Sequence, residues 1–494
     1  INVEDMRRHL AYLASDAMEG RETGEPGQKR AADYIAKTIK YLGFPAIGED
    51  GGYYQTILFK RQKWATIQLE NAGEVQKHLR QFYSIPDQNN SRETIEINEL
   101  TFLGYGIDDK QHNDYAKAGD LKGKSIIIFA GEPLNNEGKS RITGTTTPSD
   151  WSTNTEKKLA LAYQRGVETV FIIDPSFREN AGKIRRQILD GRMHMAEQRE
   201  EDREMSNSVY ITTQLAKSLL GKKFKAVVKS RKKVAKSGKL KPVSIPVNIK
   251  LTQEKEVKEL IGENVLGYLE GSDPKLKEEI VVFSAHYDHI GRRGDAIFNG
   301  ADDNASGTTT LLEVAQACMD AKKSGNGPRR SILFVWVSGE EKGLLGSKYY
   351  VNHPVFPLEN TVVDINVDMV GRVDEKHADN PEYIYVIGSN RLSTDLHNIN
   401  EEMNKQFTQL ELDYTYNAEN DPNRYYYRSD HYNFAEKGIP SIFYFNGTHE
   451  DYHQAGDTVD KINFDKMSLI AKLIFHTGWE IANRQERIKV DVGQ

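Results

Sequence analysis

Two glutamates stand side by side in "SGEEKGLLGS", residues 338–347, directly after the apolar run "SILFVWV". Adjacent carboxylates repel each other unless water screens them or a cation lies close. A solvated strand end followed by a turn is the ordinary explanation of such a pair. Other residues shift the balance. His286 closes "EIVVFSAH", Asp368 follows "NTVVDINV", Asp302 and Asp303 share the loop "NGADDNASG", and His453 lies in the loop after "GIPSIFYFNG". Singly, each has a structural explanation, "ADD" as a helix cap being one. Together they form a mixed histidine and carboxylate set, which suits zinc or a similar divalent ion. No thiolate competes, because Cys318 is the only cysteine and falls in an amphipathic helical stretch. Five such ligands exceed the usual three of a catalytic zinc, whereas five with one shared carboxylate make two three-ligand sites. Asp288, two residues after His286, can accept the other ring N–H and fix the tautomer.

Positioning such a set requires a sheet. From about residue 246 the pattern alternates near-continuous apolar strands with helices, which predicts an α/β domain with a mostly parallel sheet. In open α/β sheets ligands bind outside the carboxyl ends of the strands, where His286, Glu340, Glu341 and Asp368 fall. Earlier, "PGQKRAADYIAKTIKYLGF" spaces Ala31, Ile35, Thr38 and Leu42 helically and stops at Gly43. Three regions are expected: 1–95 as the amino-terminal part of the main domain, 96–245 as a largely β insert, and 246–494 as the catalytic domain. Within the insert, 178–206 reads as helical and the basic run 222–241 as a solvated strand pair.

The 494 residues carry a net charge of −6, with 38% hydrophobic and 28% charged residues. That composition is ordinary for a globular protein and gives no reason to expect a nucleic-acid partner. No apolar stretch approaches the ~20 residues needed to span a bilayer. One cysteine excludes an internal disulfide. The start at Ile1 without a signal-like segment is read as processing, with export to the periplasm, cell surface or medium expected.

At this point the sequence resembles a known family. "SAHYDHIG", "NGADDNASG", "SGEEKGLLGS", "NVDMVGR" and "DYHQAGDTVDKI" are similar to motifs of the co-catalytic dizinc aminopeptidases, of the bacterial leucyl aminopeptidase and aminopeptidase Y type. "LASDAMEGRETGEPGQKRAADYIA" resembles that family's amino-terminal segment. The middle region resembles its inserted protease-associated domain through "FLGYGIDD" and "DYAKAGDLKGKSIIIFAGEP". The resemblance implies a zinc exopeptidase fold and two zinc ions. It implies that Asp302 bridges them, that His286 and Asp368 complete one site, and that Glu341 and His453 complete the other. Glu340 is implied as general base, Asp288 as the residue orienting His286, and the Asp302–Asp303 peptide as cis. "YYRSDH" points to Tyr426 as the tyrosine facing the oxyanion, with Tyr425 and Tyr427 as neighbouring registers.

The expected activity is hydrolysis of the amino-terminal peptide bond of peptides with a free amino-terminus. The alternatives are a carboxypeptidase of the same fold acting on acidic dipeptides, which needs arginines aimed at a substrate carboxylate, and a non-catalytic receptor-like relative. Oligomeric state is not legible. "HEDYH", 449–453, matches a single-zinc protease pattern, but that pattern needs a helix, and Gly447 and Gly456 bracket it closely.

Overall fold

Buried apolar runs dictate the architecture. In the computed structural model, which describes residues 1–197, 204–238 and 240–492, the chain divides into two units. One comprises Ile1–Phe59 with Leu260–Gln494, the other Lys60–Glu259.

The first unit is built on β1 (Ile280–His286), β2 (Ser331–Val337) and β3 (Thr361–Val367), all of whose residues are buried. Strands buried on both faces belong in a parallel sheet covered by helices. β1 accordingly pairs in parallel with β2 on one side and β3 on the other. β5 (Ser441–Phe445) continues in parallel from β3, and β4 (Tyr383–Ile387) turns antiparallel beside β5. On the far side, the carboxyl-terminal part of the strand Val243–Leu269 runs antiparallel to β2. Helices α1 (Val3–Leu13), α2 (Pro26–Leu42), α3 (Gly307–Lys323) and α4 (Phe464–Asn483) bury their apolar faces in one hydrophobic core with these strands. α2 starts with Pro26 at its first turn and ends at Gly43, whose φ of 97° suits a residue without Cβ. The sheet is mixed and mostly parallel, as the sequence predicts. No helix among the described residues is long and apolar enough to cross a membrane.

The second unit starts and ends elsewhere than the sequence suggests, at 60–259 instead of 96–245. It is also less purely β than expected. Ser125–Phe129, Thr169–Ile173 and Asn207–Ile211 form a buried parallel set, and helices Thr155–Gln164, Thr213–Leu220 and Phe224–Ser237 accompany it. The last of these replaces the expected strand pair. Phe224, Val227 and Val234 recur at helical spacing, Val227 and Val234 are fully buried, and Lys225, Lys229, Lys232 and Lys233 lie exposed on the remaining face. Within 178–206 the chain forms helices Phe177–Lys183 and Arg185–Asp190 and then a short strand, Met193–Met195. Residues 198–203 of that stretch lie outside the described residues.

Candidate metal centre

Three parallel strands deliver the first groups. β1 ends on His286, Asp368 follows β3, and Glu340 and Glu341 follow β2 after a bend at Ser338. Gly339 has φ +77° and Gly343 φ +107°, so the glutamates lie between two positions that favour glycine.

The loop before α3 supplies the next group, and here the structure departs from the expected register. Asp302 does not bridge. Its Oδ1 accepts the Gly371 N–H at 2.6 Å, and its Oδ2 lies 3.1 Å from Asn446 Nδ2 and 3.2 Å from His449 Nε2. Those partners occupy the carboxylate away from the other ligands. Asp303 takes the central place instead. Its Oδ1 lies 3.4 Å from His286 Nε2, and its Oδ2 lies 3.0 Å from His453 Nε2. The cis peptide is correspondingly Asp303–Asn304. Asp457 fixes this loop by accepting the backbone N–H groups of Asp302 and Asp303 at 3.0 and 3.1 Å. Asn304 ties it to β3, donating to the Val367 carbonyl at 2.9 Å.

Two groups capable of holding a metal result, His286–Asp303–Asp368 and His289–Asp303–Glu341, each with ligand atoms within 4.8 Å of one another. Asp303 is common to both. His289 is a residue the sequence analysis missed. Its Nδ1 lies 2.9 Å from Glu341 Oε1, while His453 Nε2 lies 3.2 Å from the same oxygen, so two histidines flank the second group. The available signal was its place in "HYDHIG", one residue beyond the orienting aspartate.

Asp288 acts differently from expectation. The main-chain carbonyl of Asp288, not its carboxylate, accepts from His286 Nδ1 at 3.1 Å, whereas the nearest carboxylate oxygen is 3.8 Å away. The carboxylate accepts Thr23 Oγ1–H at 2.7 Å and the Glu340 N–H at 3.2 Å, which couples the β1 and β2 loops. Tyr426 also falls outside its expected role. Its ring packs on Gly388, Arg391 and His431, whereas Tyr425 and Tyr427 line the cavity that holds the carboxylates. Tyr452, not singled out from sequence, lines it too. His449 and His453 of "HEDYH" lie in a turn and serve separate groups, His449 meeting Asp302.

Arg21 braces the loops from the amino-terminal segment. Its buried guanidinium donates to the carbonyls of Tyr287 at 2.8 Å, Leu13 at 2.6 Å, Asn299 at 2.6 Å and Gly300 at 2.8 Å. Burial lowers its pKa to about 10, so it stays protonated at neutral pH.

The adjacent glutamates occupy opposed environments. Burial, helped by Asp368 and Glu341, raises the Glu340 carboxyl well above its ordinary pKa against the pull of His286. Burial would also raise Glu341, but the His289 and His453 rings close to its carboxylate bring it well below the usual range.

The donor set fits zinc. Glu341 Oε1 and both ring nitrogens of His289 are buried without a hydrogen-bond partner, and buried polar atoms normally have one. Imidazole and carboxylate are suitable zinc donors.

Residues 264–478 match the model of Peptidase family M28. That stretch is similar to an M28 peptidase domain. A probable leucine aminopeptidase of Arthroderma otae is 34% identical over 216 residues, covering 42% of this chain and 56% of the relative. Aminopeptidase YwaD of Bacillus subtilis is 27% identical over 253 residues, covering 48% of this chain and 50% of the relative. The chain spans about half the length of the curated relatives it matches. Among solved structures, an aminopeptidase from Aneurinibacillus sp. strain AM-1 aligns with TM-score 0.58 at 19% identity, covering 100% of this chain and 97% of that one. BSAP, a zinc aminopeptidase from Bacillus subtilis, aligns with TM-score 0.53 at 18% identity, covering 99% and 98%. These two share the fold of this chain.

Proposed function

We propose that this chain is a zinc-dependent aminopeptidase of the M28 type that hydrolyses the amino-terminal peptide bond of peptides, with two metal sites sharing Asp303. One observation carries the reading. Two histidine and carboxylate groups meet at Asp303, while Glu340, with an oxygen 3.9 Å from His286 Nε2, stands beside them and belongs to neither.

His286, Asp303 and Asp368 would hold one ion, and Asp303 and Glu341 the other with His453, His289 or both. Zinc supplies Lewis acidity, polarising a scissile carbonyl and making water a competent nucleophile near neutral pH. Glu340 then accepts the proton of the attacking water and returns it to the departing amine. Asp288 holds the Glu340 backbone in place. Leu344, Met369, Phe443 and Phe445 give the cavity an apolar wall for a side chain. The cavity, of about 300 Å³, is at the small end of ligand sites.

The insert 60–259 we read as a protease-associated domain, by its resemblance in sequence. Among the described residues it contributes to neither metal-holding group, so its role falls on substrate choice. The zinc content of the purified protein and its hydrolysis of leucine p-nitroanilide, before and after chelation, test the main reading. Chelation should abolish hydrolysis and added zinc should restore it. Full activity in protein verified free of metal would refute it.

A further inference from the structure

Arg428 is the only lysine or arginine lining the cavity among the described residues. The same cavity is lined by Asp303, Glu340, Glu341 and Asp368. An arginine free to reach such carboxylates would pair with them, yet Arg428 pairs with none. Its guanidinium lies over the Tyr425 ring, 4.8 Å from the centroid, and donates to Tyr452 Oη at 3.3 Å. Both tyrosines line the cavity. They hold an exposed cation, with donors to spare, apart from the acidic groups. Beside its carboxylates the cavity therefore offers one guanidinium suited to an anion.

We infer that Arg428 is a specificity-determining residue that binds a carboxylate of the substrate. The inference rests on the aminopeptidase reading for the placement of the amine. The carboxylate has two sources, the free carboxyl-terminus of a dipeptide or the side chain of an amino-terminal glutamate, and both present the same planar group to the guanidinium.

The test compares kcat/KM for Leu-Gly against Leu-Gly amide, and for glutamyl against glutaminyl p-nitroanilide, in the wild type, Arg428→Gln and Arg428→Lys. The wild type should favour the acid of at least one pair about tenfold, the scale of one charge-assisted hydrogen bond. Arg428→Gln should bring that ratio close to one, and Arg428→Lys should retain part of it. A preference within the first pair identifies short peptides as substrates, and one within the second identifies acidic amino-terminal residues. No preference in either pair, or a preference that survives Arg428→Gln, overturns the inference. If no substrate is cleaved, the aminopeptidase reading fails by itself. Calorimetry on Glu340→Gln protein then decides about Arg428. Tighter binding of an acid than of its amide, lost when Arg428→Gln is added, supports the inference, and equal binding overturns it.

Discussion

Replacing Glu340 by Gln separates the two adjacent glutamates. The change keeps the shape of the side chain and its hydrogen-bonding capacity but removes the basic oxygen. Glu340 lies outside both metal-holding groups, so zinc content should match the wild type. What is lost is the proton acceptor. General acid–base catalysis contributes roughly 10²–10⁴-fold, which at about 1.4 kcal/mol per factor of ten raises the barrier by roughly 3–5 kcal/mol. Glu341→Gln should act otherwise. Its Oε1 lies 2.9 Å from His289 Nδ1 and 3.2 Å from His453 Nε2, so the variant should lose zinc, and excess zinc should partly restore activity. The assays are zinc per chain by mass spectrometry and kcat on leucine p-nitroanilide. Loss of metal from the Glu340 variant with full metal in the Glu341 variant would exchange the two roles. Unchanged kcat in both would return the pair to a solvated turn.

Asp303→Asn should strip zinc from both sites, whereas Asp302→Asn should leave zinc content largely intact and lower thermal stability, because its oxygens serve Gly371, Asn446 and His449; the reverse pattern would restore Asp302 as the bridge. The His9 ring is buried, 2.7 Å from Tyr34 Oη, and burial lowers its pKa from 6.5 to about 4. The unfolded chain therefore binds more protons between pH 6.5 and pH 4, and His9 should remove about 2–3 kcal/mol of stability as pH falls through that window. Urea titrations at pH 7 and 4.5 should show that extra loss in the wild type relative to His9→Gln, and equal losses would refute the assignment. Gly478 on α4 faces β1, where an added Cβ would come within 2.1 Å of Phe283 Cζ and 3.0 Å of Ile365 Cδ1. Gly478→Ala should cost roughly 1–3 kcal/mol by overpacking, visible as a lower Tm, and an unchanged Tm would show that the ring can move aside.

The sequence by itself determined the sheet and the placement of chemistry on it. Runs such as "IVVFSAH", "SILFVWV" and "TVVDINV" can only be buried strands, and the residues that follow such strands in an α/β fold must face the ligand edge. His286, Glu340, Glu341 and Asp368 were legible for that reason. What spacing could not resolve was a choice between like neighbours. Asp302 and Asp303 are identical in type and adjacent, and what separates them is who else claims the oxygens: Gly371, Asn446 and His449 take Asp302, and Asp457 turns the backbone that aims Asp303. Those partners lie between about 70 and 155 residues away, so no local pattern announces them. Tyr425, Tyr426 and Tyr427 pose the same problem, settled by Gly388 and Arg391 packing on the middle ring. His289 joined through a loop fold rather than a strand end. Phe224–Ser237 of the basic run became a helix because the core of the second unit offered Val227 and Val234 a buried face. Local sequence fixes which residues can reach an edge. Competition among distant hydrogen-bond partners decides which of two equals occupies it.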